Sequence, residues 1–599
     1  MNLIYSKNFV PARFQVSNRS RRFPASHRLL VGFCTVILMG ISSVMFAQAT
    51  NFETAAEAVA NMGVGWNMGN TLEANDQAVS HNPSDDAYWG QQGLESETCW
   101  GQAVTKPELI RMMKEAGFGA IRVPVTWYNH IDKDGKVDAA WMQRVHEVVD
   151  YVINQDLYCI INVHHDTGAD GSNFTSWIKA DESNYNANKS RYEYLWRQIA
   201  EEFKDYGEKL LFEGYNEMLD IKSSWCFASF SAANQYDATI AASAYSAINK
   251  YAQSFVNAVR STGGKNTKRN LIVNTYAACC GSGNWNTHLQ DPLKEMKKPT
   301  GESNHIIFEV HDYPNISNLS NAKSEVNSMM SALNTHLVAQ GVPVIFGEWG
   351  TSNVDNVGHT DYDVRKADFF DFVSFFIKKC KENNMATFYW MGLSDGSNRS
   401  LPVFNQPDLA EVMIKAYHGT TEGFTFPTRD DLGTIIYEVT FNSQWSELNL
   451  CNGSFSTTTY PSIELELEEN PAANAFQIKV YGGNGKEHVY GITSAVTTMP
   501  FSSVVGTTVS RVTLQSCQAG NTTTVKSINL IKADGTKQKA EVSVFWGCTV
   551  TETVESGIEP IYSSERTVQG AHLYNLSGQR VLSPAKGIYI QGGKKFIRK

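Results

Sequence analysis

The chain contains no C-x-x-C pair, although 10 cysteines are spread over its 599 residues. Zinc knuckles and thiol–disulfide centres use that spacing, so neither is expected. Cys34 lies in a leader that export would remove, and the other nine are scattered and odd in number. An exported chain permits disulfides, but this pattern requires no disulfide framework. The adjacent Cys279 and Cys280 read as a loop pair or core thiols rather than metal ligands. Excess positive charge is also missing. The formal net charge of −10 argues against nucleic acid or an anionic membrane as the main partner. Beyond the N-terminal region, no run is apolar enough to cross a bilayer.

At the N-terminus, Arg13, Arg19, Arg21, Arg22 and Arg28 precede an uncharged run over 29–47, and Ala47-Gln48-Ala49 forms an A-x-A cleavage pattern. Residues 1–49 therefore read as a signal peptide, with a membrane anchor as the alternative. Phe33 rather than a small residue precedes Cys34, which argues against lipid attachment there. A secreted or cell-surface protein is expected.

Residues 50–422 alternate short apolar runs with amphipathic segments. The strand candidates are 63–70, 119–125, 157–165, 210–217, 270–276, 305–313, 342–350 and 386–392. Between them, 105–117 carries a predicted capping box of Thr105 and Glu108, with Pro107 in the first turn and Gly117 as the stop. Segments 140–155 and 362–383 place their apolar residues on one face. Eight β–α units with near-continuous apolar strands predict an α/β fold, a closed (β/α)8 TIM barrel. An open doubly wound sheet is the alternative, and it lacks the glycine-rich phosphate loop expected after its first strand. Short alternating strands over 430–553 predict an all-β sandwich. A linker (554–566) and a small basic β tail (567–599) follow.

The C-terminal ends of barrel strands carry the chemistry in this fold. Here they present Arg122, Asn162, His164, His165, Asp166, Asn216, Glu217, His311, Asp312, Tyr313, Glu348, Trp349 and Trp390. Two acids on different strands suit glycoside hydrolysis, one protonating the leaving oxygen while the other attacks the anomeric carbon or activates water. Glu217 and Glu348 are the natural pair. Arg122 and Tyr313 are placed to bind a carboxylate, His311 to tune the proton donor, and Trp390 to offer a flat face to a sugar. A metal site is the rival reading of "NVHHDTG", but adjacent histidines on a strand point to opposite faces and clamp an ion poorly. Structural alternatives stay open for Arg122 as an interior ion pair, His165 as a satisfied loop histidine and Trp390 as core.

The motifs "GWNMGNTLEA", "IRVPVTW", "INVHHD", "GYNEM", "VHDYPN", "GEWG" and "FYWMG" together resemble glycoside hydrolase family 5, and "ESETCWG" looks like its subfamily 4 of endoglucanases. The resemblance implies a retaining mechanism with Glu217 as acid/base and Glu348 as nucleophile. It further implies Arg122, His164, Asn216, His311 and Tyr313 as supporting residues and Asn67, His165 and Trp390 as substrate contacts. No metal and no cofactor are implied. The implied partner is a β-glucan such as cellulose, mixed-linkage glucan or xyloglucan, with mannan left open. A transglycosylase or a non-catalytic glycan-binding surface protein are the competing functions, and the sandwich is either a carbohydrate-binding module or a spacer. The tail motifs "YNLSGQRV" and "KGIYIQGGKKFIRK" resemble the type IX sorting domain of Bacteroidetes, implying outer-membrane secretion machinery as a partner. A monomer is expected.

Overall fold

The computed structural model describes residues 52–76, 80–171, 175–231, 235–301, 303–352, 362–451, 453–540 and 542–554, with three short backbone strands between 573 and 598. The leader and most of the linker and tail lie outside the described residues. The chain divides at Asp431/Leu432 into two compact units.

In the first unit, β1 (Val64–Asn67), β2 (Ala120–Val123), β3 (Tyr158–Asn162), β4 (Leu210–Glu213), β5 (Leu271–Cys279), β6 (Ile306–Asp312), β7 (Val344–Trp349) and β8 (Ala386–Tyr389) run in sequence order. They close into one barrel, with β1 paired in parallel to both β2 and β8. Because helices cover the outside and side chains fill the inside, both faces of these strands are buried, which explains their continuous apolar runs.

The period of two along each strand sorts the residues into two environments. Ala120, Ile160, Leu211, Ile272, Ile307, Ile345 and Phe388 form one apolar cluster inside the barrel, closed by the helix Ala55–Met62. The alternate residues, such as Ile121, Cys159, Phe212 and Phe308, pack outward against the helices. Two positions further along each inward face the chemistry changes, because Arg122, Asn162, Glu213, Asn274 and Glu309 are polar and buried. Asn67, Gly347 and Trp390 complete this ring on β1, β7 and just after β8. The barrel interior is thus apolar at its closed end and ionic at the end where the active site is expected.

The helix at 105–117 departs from expectation at its start. It spans Pro107–Ala116 with Lys106 as N-cap and no side-chain cap bond. Glu97 accepts the Thr105 N–H at 2.7 Å, and the Thr105 hydroxyl is buried without a partner. A distant acid has taken the chain away from the capping box. Gly117 does stop the helix, in the left-handed conformation at φ 102°.

The second unit holds two six-stranded antiparallel sheets. Strands such as Ser462–Leu467 and Phe476–Gly482 bury alternate residues, and Phe441 of one sheet meets Phe476 of the other at 5.4 Å between ring centroids. In the tail, 573–575, 587–591 and 594–598 form a three-stranded sheet.

Candidate active site

Arg122 is fully buried and is the hub of the ionic ring. Its Nε and Nη2 donate to Glu213 at 2.7 and 2.8 Å. Nη1 donates to Glu348 Oε1 at 2.8 Å and to Asn67 Oδ1 at 2.9 Å, and Nη2 also reaches Asn216 Oδ1 at 2.7 Å. Glu309 Oε1 lies 3.4 Å from Nε. A rigid planar fork with five N–H donors is the side chain suited to this number of acceptors. Burial opposes its charge, but the surrounding carboxylates hold it firmly protonated.

Glu348 is brought to this hub by a defect in the sheet. The β6–β7 register shifts between Val310 and His311, so that His311 stands opposite Glu348. Bulges of this kind re-aim a side chain next to an active site. Gly347, beside the bulge, is needed for space, since a Cβ there would sit 1.6 Å from Glu309 Oε1. Gly347→Ala is therefore expected to destabilise the barrel by about 1–3 kcal/mol or more and to cut turnover at least tenfold by displacing Glu309 and Glu348. Thermal unfolding and kinetics on one preparation check both effects.

The two prospective catalytic acids have different surroundings. Glu348 Oε2 accepts the Tyr313 hydroxyl at 2.8 Å while Oε1 is held by Arg122. Burial raises its pKa, but His311, Arg122 and Tyr313 outweigh burial and leave it below the usual carboxylate value. Glu217, half-buried, bonds His311 Nδ1 at 2.8 Å. Burial dominates there and pushes its pKa up, with Glu348 adding repulsion. His311 Nε2 bonds Glu309 at 3.1 Å. Burial pulls the imidazole down, but Glu348, Glu217 and Glu309 together carry it up to about 10. The site thus separates an acid that keeps its proton from one that gives it up.

Most of the other candidates gather around this pair. Asn162 Nδ2 donates to Glu213 at 3.0 Å and faces His164 Nδ1 at 3.0 Å. His164 Nδ1 must therefore accept, which leaves its N–H on Nε2, 3.9 Å from Glu348 Oε1. Burial holds His164 well below its ordinary pKa and neutral. His164 and His165 lie past the end of β3, not on it, and their rings meet edge to face at 4.5 Å. The expectation that they face opposite sides of a strand is corrected accordingly. Trp390, half-buried, lies parallel to His164 at 5.9 Å and 7°.

Asn67 is a second correction. It is buried, its Nδ2 donates to Gly347 O and Phe388 O at 2.8 and 3.0 Å, and its Oδ1 accepts from Arg122. It braces the hub from inside the barrel and has no face to offer a ligand.

Sequence reasoning missed Glu309, whose pKa burial and Glu213 push up to about 7. The signal was present, because Glu309 and His311 are two apart on an apolar strand and so share one face. It also missed Asp220, which accepts backbone N–H groups of Lys222, Ser224 and Ser229 and so shapes the loop carrying Trp225. Of the tryptophans near strand ends, Trp66, Trp127, Trp177 and Trp349 are core, whereas Trp225 and Trp285 are exposed.

Beside Glu217 opens a cavity of about 310 Å³, lined by Trp225, Cys226, Cys279, Trp285 and His311 among others. Glu217, His311 and Glu348 also place one donor atom each within 4.8 Å of one another, a spacing that could hold a metal ion. Those groups are already bonded to one another, to Tyr313 and to the Arg122 cation, whose charge opposes a second cation.

Two carboxyl groups at the ionic end of a TIM barrel, one with its pKa raised and the other with its pKa lowered, are the arrangement of a glycoside hydrolase. The description "Cellulase (glycosyl hydrolase family 5)" matches residues 80–395, and the chain belongs to that family. It is 30% identical over 398 residues to endoglucanase B of Neocallimastix patriciarum, covering 64% of this chain and 74% of that one. Endoglucanase A of Clostridium longisporum is 32% identical over 345 residues, covering 55% and 59%. Among solved structures, a GH5-4 broad-specificity endoglucanase from an uncultured bacterium is 63% identical with a TM-score of 0.58, covering 62% of this chain and 97% of that one. A family 5 enzyme from Prevotella bryantii B14, solved with a xyloglucan tetradecasaccharide, is 39% identical with a TM-score of 0.53, covering 62% and 100%.

Proposed function

We propose that the protein is a retaining endo-β-1,4-glucanase acting on cellulose-type, mixed-linkage or xyloglucan polymers. One observation carries the mechanism. One oxygen of Glu217 and one of Glu348 lie within 4.8 Å of each other, which suits the roughly 5–5.5 Å carboxyl separation of a retaining enzyme better than the roughly 6.5–9.5 Å at which an inverting enzyme seats a water between its acids. In this reading Glu348 attacks the anomeric carbon from below. The bond from that carbon to the glycosidic oxygen breaks as Glu217 gives that oxygen its proton. Glu217, now a carboxylate, takes a proton from water, the water oxygen attacks the anomeric carbon, and Glu348 leaves with its charge restored. Arg122 and Tyr313 hold Glu348 ionised and oriented before attack. The Asn216 oxygen is tied to Arg122, which aims its amide N–H groups outward toward a sugar hydroxyl.

The names of the relatives support a β-glucan, and the exposed Trp225 and Trp285 beside Glu217 support an open cleft that accepts a chain interior. Export and outer-membrane sorting belong to the same proposal and rest on the leader and tail motifs. The test is hydrolysis of carboxymethylcellulose, mixed-linkage glucan, xyloglucan and mannan, with NMR of the first sugar released. β-Glucan cleavage yielding the β-anomer first is expected. An α-anomer first, or cleavage of mannan alone, overturns it.

A further inference from the structure

We infer that the second unit binds a neutral, hydroxyl-rich polymer at a site centred on Glu447, on the outer face of one of its sheets. Register defines that face. In the strand Phe476–Gly482 the residues Phe476, Ile478, Val480 and Gly482 are buried, so Gln477, Lys479 and Tyr481 share the other side. Their cross-strand partners are Gln515, Thr513 and Arg511. One strand further on, Glu447 and Asn449 stand opposite Gln515 and Thr513. Residues directly opposite in an antiparallel pair lie on one face. The sheet then ends in the strand Ser543–Trp546, with Trp546 opposite Glu447.

A face turned away from the other sheet has no need to bury a carboxylate, yet Glu447 is only 6% exposed. The Tyr481 hydroxyl lies 2.9 and 2.7 Å from its two oxygens. The Thr513 hydroxyl donates to it at 2.9 Å and Gln515 Nε2 at 2.7 Å. Gln477 donates to Gln515 at 2.6 Å. This network holds the Tyr481 ring in place. Lys479 and Arg511 lie 4.7 and 5.8 Å from its centroid, and Arg511 stacks on Phe545 at 3.7 Å. Phe545 and Trp546 are 43% and 53% exposed, and Trp445, whose carbonyl accepts from Gln515 at 3.5 Å, is 48% exposed. Four aromatic residues that are scattered in the sequence thus gather around one fixed carboxylate. Exposed apolar side chains grouped in this way mark a binding surface.

The chemistry of the face selects the occupant. Rigid exposed rings stack on pyranose faces at little ordering cost, and the amides of Gln477 and Gln515 suit hydroxyl groups. Two acids, Glu447 and Glu487, balance two cations, Lys479 and Arg511, with Lys479 3.0 Å from Glu487. A face so neutralised has no net attraction for a polyanion or a polycation, which leaves a neutral glycan. The choice of β-glucan as probe rests on the hydrolase reading above.

The experiment is affinity electrophoresis of the full chain through gels containing mixed-linkage glucan, in the Glu348→Ala background so that the polymer stays intact. The double substitution Phe545→Ala/Trp546→Ala is expected to weaken retention about tenfold. Both side chains are exposed, so the melting temperature should hold. Tyr460→Ala, at an aromatic whose hydroxyl bonds Gln538 of the other sheet, should leave retention unchanged. With Glu348 restored, the double substitution should not alter kcat/KM on 4-nitrophenyl β-cellobioside, which reads the cleft alone. A parent chain that the glucan does not retain overturns the site, as does retention unchanged by the double substitution or an equal loss on the cellobioside. A change from dimer to monomer with retention intact also overturns it, and marks the patch as an interface between copies. If the chain with Glu348 fails to cleave β-glucan while retention still depends on Phe545 and Trp546, the hydrolase reading falls and the site stands.

Discussion

Glu348→Ala is expected to lower kcat on β-glucan by roughly 10⁴-fold or more, the scale on which loss of a covalent nucleophile is felt. Folding and glycan binding should survive. Arg122 keeps Glu213 and Glu309 as counter-charges, so the substitution leaves no uncompensated buried cation, and the melting temperature should change little. The decisive readout is azide rescue on an activated aryl β-glycoside. The shortened side chain leaves room below the anomeric carbon, azide attacks there once, and the product is the α-glycosyl azide. The β-azide, or near-normal hydrolysis without azide, would remove Glu348 from the nucleophile's place.

The barrel was legible because its strands are buried on both faces and its helices are amphipathic, and both leave periodic marks in the sequence. The layering inside it was legible in principle. Leu211 and Glu213, Ile272 and Asn274, and Ile307 and Glu309 each show an apolar residue followed two positions later by a polar one. What periodicity could not supply was the partner. Arg122 and Glu348 are 226 positions apart, and Glu97, which takes the Thr105 N–H, is itself held by Arg144, 47 positions away. Local signals for Thr105 and Glu108 were sound and lost to Glu97, which accepts that N–H in place of Glu108.

At the site, residue type and strand end pointed to the right neighbourhood but not to depth. Asn67 sits at a strand end as Asn216 does, yet Asn67 is inside the ring. The difference is that Asn67 shares the layer of Arg122 whereas Asn216 stands past the end of β4. Tryptophans carry the same ambiguity, since Trp349 and Trp225 both follow strands and only the second is exposed. The bulge that turns Glu348 toward His311 leaves its one trace in "FGEW", where glycine replaces the polar or bulky residue that the ring carries elsewhere.

Glu217→Ala tests the other half of the mechanism, and its effect should depend on the leaving group. On polysaccharide, whose departing alkoxide needs a proton, a loss of about 10²–10⁴-fold in kcat is expected. On a glycoside of an acidic phenol, bond cleavage needs no such help and kcat/KM should fall far less. Azide should now attack the glycosyl–Glu348 ester from above and give the β-azide, opposite to the Glu348 variant. The pH profile supplies an independent sign. Burial raises the Glu217 pKa, so wild-type kcat/KM should hold past the usual carboxylate range and fall as pH rises through that raised value. Glu348 is held low, so the acid limb should fall only when pH drops through its depressed value. His311, carried to about 10, keeps its proton across that interval and contributes no limb of its own there. Glu217→Ala should therefore erase the alkaline limb and leave the acid limb in place. If the alkaline limb persists unchanged, the proton that governs it is not on Glu217.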